Sequence, residues 1–292
     1  MYSKKLLITI LTIALIGASV LVLGCTNPTA TPTATPASTG PTDSQTPALS
    51  GKILITGSTS VQPHMDNLTT AFRAKYPNVD VQVSGGGSGT GIKNVGDGTS
   101  DMGMSSRDLT AAEESSGLKP YIIAYDGIAV IVSKDSSVSD LTKDQIRDIF
   151  AGNVTNWKDV GGSDAKITVF QREAESGTRT AFNELVMGKT NVTKDALQSQ
   201  GTLTMIQSVK NNRNAIGYCS YSDLSPEVKA LKVGGVAPSV STIQDKSYVI
   251  QRPFLFVTRG EPTNPITVAF IDFVLSPEGQ NILAADNLVK VS

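Results

Sequence analysis

The chain has 292 residues, with 25 Lys and Arg against 26 Asp and Glu and 39% hydrophobic residues, so one large or two medium domains are expected. Its balanced charge advertises no basic surface for nucleic acid. One histidine (His64) and two cysteines (Cys25 and Cys219) leave little for a metal centre, a cofactor or a histidine-dependent catalytic triad.

In chain order, Lys4 and Lys5 precede an almost wholly apolar run at 6–23, which ends in Val22-Leu23-Gly24-Cys25. This segment resembles a prokaryotic lipobox, which implies a lipoprotein signal over 1–25 with Cys25 lipidated and exposed as the mature N-terminus. Two acyl chains suffice for stable anchoring. An uncleaved membrane helix is the alternative, since the run approaches the roughly 20 residues a span requires. Both readings place the body outside the cytoplasm, tethered to the outer face of the cell membrane. Residues 26–49 are almost entirely Thr, Pro, Ala and Ser, a composition that makes an extended linker rather than a core. Asn67, Asn153 and Asn191 lie in Asn-x-Ser/Thr sequons, and Cys219 reads as a small packed hydrophobe.

From residue 51 strands and helices alternate. Residues 52–56 predict a strand that runs into Gly57-Ser58-Thr59-Ser60, then a helix to about residue 76. Residues 79–84 alternate as a second strand, followed by a Gly-rich turn and a short helix near Ile92. Residues 102–105 read as a third strand ending at Ser106-Arg107, and 121–132 as a longer one interrupted at Asp126-Gly127. A second set follows: an amphipathic helix over 141–150 capped by Ser139-Asp140, a strand at 167–170, helical material at 196–210 and 226–231, an extended run at 248–257, and a closing helix at 265–281 broken near Pro277. The alternation predicts α/β units with parallel strands, whose ligands bind beyond the carboxyl ends of the strands. The chain leaves one lobe near residue 130 and returns near 247, which gives a two-stranded hinge suited to closure over a ligand.

Arg172-Glu173-Ala174-Glu175-Ser176-Gly177-Thr178 carries the most chemistry. A helix start offers unpaired N–H groups and a partial positive charge to a tetrahedral anion. Gly177 permits close approach, the Ser176 and Thr178 hydroxyls add donors, and Arg172 adds a planar fork. Two further hydroxyl-rich turns, Gly57-Ser58-Thr59-Ser60 and Gly87-Ser88-Gly89-Thr90, repeat the pattern, so a small oxyanion is the expected ligand. Gly85 to Gly91 misses the dinucleotide-binding glycine spacing at Thr90, and Gly86-Gly87-Ser88-Gly89-Thr90 fails the nucleophile-elbow pattern at its last residue. No catalytic residue, metal ligand or cofactor site is expected, and an enzyme is not.

Over about 51–292 the chain resembles the periplasmic-type phosphate-binding proteins of ABC transporters, the PstS type. The resemblance rests on Gly57-Ser58-Thr59-Ser60-Val61-Gln62-Pro63, Gly85-Gly86-Gly87-Ser88-Gly89-Thr90-Gly91, Ser105-Ser106-Arg107, Asp126-Gly127-Ile128-Ala129-Val130, Ile149-Phe150-Ala151-Gly152 with Asn156-Trp157, and Arg172 through Thr178. It implies a bilobed α/β "Venus flytrap" fold, with lobe 1 at 50–130 and 247–292 and lobe 2 at 131–246. It implies capture of inorganic phosphate and delivery to an ABC permease with its ATPase, by a monomer. Carried over by position, Ser58, Thr59, Ser60 and Ser88 would donate from lobe 1, Ser106 and Arg107 from the third strand's end, and Arg172, Ser176, Gly177 and Thr178 from lobe 2. Glu173 or Glu175 would orient Arg172.

Many family members carry an aspartate, which accepts the proton of hydrogen phosphate, where this chain has Ser106. Asp126 is the expected substitute acceptor. Sulfate, molybdate, tungstate or arsenate as ligand, or a phosphate sensor without a transport role, remain as alternatives.

Overall fold

The computed structural model describes residues 49–291. The expected signal with Cys25, and all but the end of the expected linker, lie outside them.

β1 (Gly51–Gly57) pairs in parallel with β2 (Val79–Ser84), Ile53 opposite Val81 and Ile55 opposite Val83. A parallel pair needs a crossover, and α1 (Gln62–Lys75) supplies it, with Pro63 in the first turn, where no N–H is needed, and Met65, Leu68 and Phe72 buried. α2 (Ser88–Gly96) returns the chain to β3 (Met102–Ser105), parallel to β1 on its other side. α3 (Ala111–Ser115) is closed by a capping box between Thr110 and Glu113. β4 (Leu118–Ser133) follows.

The second set comprises β5 (Asp140–Leu141), α4 (Lys143–Ala151), β6 (Thr168–Arg172) and α5 (Gly177–Phe182), which continues as a π turn through Met187. Then come β7 (Leu197–Ser199), α6 (Gly201–Lys210), β8 (Ala215–Ser220), β9 (Val228–Ala230), β10 (Lys232–Val233) and α7 (Val240–Gln244). β11 (Gln251–Arg259), α8 (Pro265–Leu275) and α9 (Pro277–Ala285) close the chain.

Four elements differ from the sequence reading. Residues 197–199, expected to be helical, form β7 because they pair in parallel with β6, and the helix begins only at Gly201. α4 starts two residues later, capped by Thr142 rather than Ser139-Asp140, because Asp140 and Leu141 pair with β10. Residues 228–230 form a strand, not a helix, since they pair antiparallel with the end of β4. The expected break at Asp126-Gly127 is instead a change of partner in an unbroken strand. Up to Gly127, β4 pairs antiparallel with β11; from Ile128 it pairs with β8 and β9. The expected break at Pro277 is present: Ser276 ends α8, and its Oγ accepts from Gly279 N to cap α9.

The strands run in the order β2-β1-β3-β11-β4-β8-β6-β7. The core divides where β4 changes partner. On one side Ile53, Ile55, Met104, Phe254 and Phe256 pack with Phe72 of α1 and Phe270 of α8. On the other, Ile128, Val130, Ile216 and Tyr218 pack with Phe150 of α4 and Phe182 of α5. Each fully buried large apolar side chain contributes about 1.5–3 kcal/mol, so each half has a core of its own. β4 and β11 carry the chain out of the first half and back into it.

Candidate functional site

The parallel strands β1, β2 and β3 end at Gly57, Ser84 and Ser105, and β6 and β7 end at Arg172 and Ser199. The segments that follow carry the hydroxyl-rich turns, and the fold gathers several of them. Gly57 allows this at β1: its φ is +140°, and a Cβ there would collide with the Met104 main-chain oxygen.

Arg172 is 1% exposed and carries the densest bonding in the cluster. Its Nε donates to Glu173 Oε2 at 2.8 Å and its Nη2 to Glu173 Oε1 at 2.7 Å. The same Nη2 donates to Thr59 Oγ1 at 2.9 Å, and Nη1 to Thr202 Oγ1 at 3.2 Å. Burial works against the charge on Glu173, but the bonds and charge of Arg172 outweigh it and hold the carboxyl below its ordinary value. Of the two glutamates expected to orient Arg172, it is Glu173 that does so.

Around this pair, Ser60 Oγ lies 2.9 Å from Thr178 Oγ1 and 3.1 Å from Thr202 Oγ1. Ser88 Oγ lies 3.2 Å from Ser106 Oγ and accepts from Ser106 N at 3.1 Å. Gly177 sits directly against these two serines: a Cβ there would collide with Ser88 Oγ and lie 2.8 Å from Ser106 Oγ. The Gly89 amide donates to the Glu175 main-chain oxygen at 3.0 Å, joining the start of α2 to the loop before α5. Thr59, Ser60, Ser88, Ser106, Arg172, Gly177 and Thr178 are thus brought together from both halves.

A hydroxyl has one proton and two lone pairs. Thr59 and Thr202 each accept from Arg172, and Ser88 accepts from a main-chain amide. Each keeps its proton for another acceptor. The arrangement is rich in donors, as an oxyanion requires.

Four expected site residues stand differently. Ser58 Oγ accepts from the Ser60 and Val61 amides at 3.2 and 3.3 Å and shapes its own turn. Ser176 Oγ accepts from Arg179 N at 3.2 Å as the cap of α5. Arg107 is turned onto Glu113, with two 2.8 Å bonds between the guanidinium and the carboxylate. These bonds pull the Glu113 carboxyl down to about 2.

Asp126, the expected proton acceptor, is fully buried but does not touch the hydroxyl cluster. Its Oδ2 accepts from Ser220 Oγ at 2.7 Å and from Arg252 Nη2 at 3.2 Å, and its Oδ1 from Ser222 N at 3.2 Å. Arg252 lies directly opposite it in the β4–β11 register and takes its charge.

Thr202 and Arg252 join the cluster without being singled out by the sequence pattern. Thr202 follows Gly201 at a helix start, the same Gly-hydroxyl step as the turns that were recognised. Arg252 is the one charge in the apolar run 248–257, and a charge there calls for a buried partner.

The sequence profile of the PBP superfamily domain matches residues 35–278. The phosphate-binding protein PstS of Bacillus subtilis is 32% identical over 242 residues, which is 81% of this chain and 79% of that protein. Among solved structures, a Clostridium perfringens substrate-binding protein assigned to a phosphate ABC transporter, with bound phosphate, is 46% identical with a TM-score of 0.81 over 83% of this chain and 100% of its own. An ABC-type phosphate transport receptor from Vibrio cholerae is 35% identical with a TM-score of 0.70, over 81% of this chain and 99% of its own.

Proposed function

Since the chain belongs to the PBP superfamily and, within it, to the PstS phosphate-binding proteins, we propose that it captures inorganic phosphate between two lobes and delivers it to an ABC importer. The observation that carries this reading is the donor cluster built from both halves around Arg172. Hydrogen bonds to a charged group contribute about 1.5–3 kcal/mol each, so donors from both halves together supply more than tight binding requires before the costs of closure and desolvation are subtracted. Because each half supplies donors, the anion binds the closed arrangement better than an open one, and that difference drives closure.

The direct ligands we propose are Thr59, Ser60, Ser88, Ser106, Arg172, Gly177 and Thr178, with Thr202 added. Ser58 and Ser176 shape the turns that present them. The lobes correspond to 50–130 with 247–292 and to 131–246, close to where β4 and β11 pass between the cores. The protein acts as a monomer held to the outer face of the cell membrane through lipidated Cys25. It binds without chemistry: His64 is bonded to Asp286 at 3.1 Å and Ser222 at 3.0 Å, and to no hydroxyl of the cluster.

Ser106 in place of an acidic acceptor favours one second reading, a site that also admits sulfate. Glu173 and Asp126 are both committed to arginines. Calorimetric titration of anion-stripped protein with phosphate and then sulfate, from pH 5 to 9, tests both. Tight phosphate binding without sulfate supports the first reading, comparable sulfate binding the second, and no heat with either contradicts both.

A further inference from the structure

Arg252 is 3% exposed and bridges two places that matter. Its Nη2 donates to Asp126, while its Nη1 donates to Thr178 Oγ1 at 2.6 Å and to the Ser106 main-chain oxygen at 3.1 Å. Its Nε has no partner among the described residues. A buried ion pair is weak ground for stability, because desolvating both charges offsets their attraction. What this pair does is hold a guanidinium behind the anion site, on the strands that join the two halves.

We propose that Arg252 is a positioning residue of the anion site that fixes the Thr178 hydroxyl as a donor to the bound oxyanion. This rests on the reading of the hydroxyl cluster as the phosphate site. The argument is one of lone pairs and protons. A guanidinium only donates, so Thr178 Oγ1 spends a lone pair on Arg252 and its proton must go elsewhere. Ser60 Oγ, 2.9 Å away, or an anion oxygen can take it. Arg252 thereby does for Thr178 what Arg172 does for Thr59 and Thr202. Asp126 sets the height of the fork through the Arg252–Asp126 register, and Ser220 and Ser222 hold Asp126 in turn. Asp126, expected to meet the ligand itself, acts through Arg252.

The test is a double-mutant cycle on phosphate affinity by calorimetry, using the anion-stripped protein with thermal melting as a fold check. Arg252→Gln should weaken phosphate binding by about 10- to 100-fold, the loss of one charge-assisted contact. In a Thr178→Val background the same change should have almost no effect, and in Thr178→Ser the loss should return. Equal losses in the Thr178→Val and native backgrounds, or native affinity in Arg252→Gln, would overturn the proposal. Should Arg252→Gln fail to fold, Arg252→Lys takes its place. It keeps a charge opposite Asp126 but cannot serve Asp126 and Thr178 together, so a several-fold loss is expected that vanishes with Thr178→Val. Arg172→Gln is the control: native phosphate affinity there would refute the site itself, whereas loss there with none in Arg252→Gln would refute the role of Arg252 alone.

Discussion

Arg172 and Glu173 are neighbours in sequence and also partners, joined by bonds of 2.8 and 2.7 Å at the end of β6. The carboxylate fills one edge of the fork, and the remaining guanidinium donors face Thr59 and Thr202. Glu173→Gln removes the counter-charge of an almost fully buried arginine, and breaking such a pair costs about 3 kcal/mol or more. A bound phosphate supplies negative charge in its place. Urea unfolding should therefore show a large loss of stability without ligand and a smaller one at saturating phosphate. The Glu173 carboxyl is held below its ordinary value, so its contribution is present above that value and fades as pH falls through the lowered one. The acid side of the stability profile should flatten in Glu173→Gln.

Gly177→Ala places a methyl group against Ser88 and Ser106. Overpacking of this kind costs about 1–3 kcal/mol, and here it falls on the approach of the two halves. Phosphate affinity should drop by about 10- to 100-fold, measured by calorimetry, with the melting temperature of the ligand-free protein changing little if the halves separate to relieve the contact.

Arg107→Ala should behave unlike Arg172→Gln. Arg107 holds Glu113, which also accepts from Thr110 N in the capping box of α3. Its loss should lower stability by about 1 kcal/mol and leave phosphate affinity within a few-fold of native. Glu113 sits at about 2, depressed from its ordinary 4.5. Its stabilisation is complete above the ordinary value and is lost as pH falls through about 2, so the variant's deficit should shrink in acid, as read by urea unfolding at pH 7 and pH 3.

Asp223 is a buried carboxylate whose Oδ2 has no partner among the described residues, and burial raises its pKa well above 3.8. A raised carboxyl stabilises fully below its unfolded value, and that contribution is lost as pH rises through the folded one. Asp223→Asn removes the charge that must otherwise form in the interior. The variant should gain stability over wild type at neutral pH, by about 1–3 kcal/mol, and lose that advantage toward pH 4, measured by thermal melts across the range.

Much of this was legible in the chain itself. The Gly-hydroxyl turns mark strand ends because glycine and small hydroxyl residues suit tight turns and helix caps, and those turns lie where a parallel sheet presents its ligand. What sequence could not tell apart were hydroxyls that bond inward from hydroxyls that face the cluster. Ser58 and Ser60 are two residues apart, yet Ser58 serves its own turn and Ser60 meets Thr178 across the halves. Arg107 follows β3 and turns onto Glu113 only six residues on, whereas Arg172 ends β6 and reaches Thr59 of the cluster through long-range packing. Arg252 escaped because its meaning lies in the β4–β11 register, a pairing that local pattern does not encode. For the same reason sequence pattern does not reveal that Asp126 bonds Arg252, Ser220 and Ser222.

A crystal structure of the protein with phosphate would test the site most directly. The phosphate should lie within hydrogen-bonding distance of Arg172 and of hydroxyls from both halves, Ser60 and Ser88 on one side and Thr178 on the other. Phosphate bound elsewhere, with Arg172 still spent on Glu173, Thr59 and Thr202 alone, would contradict it.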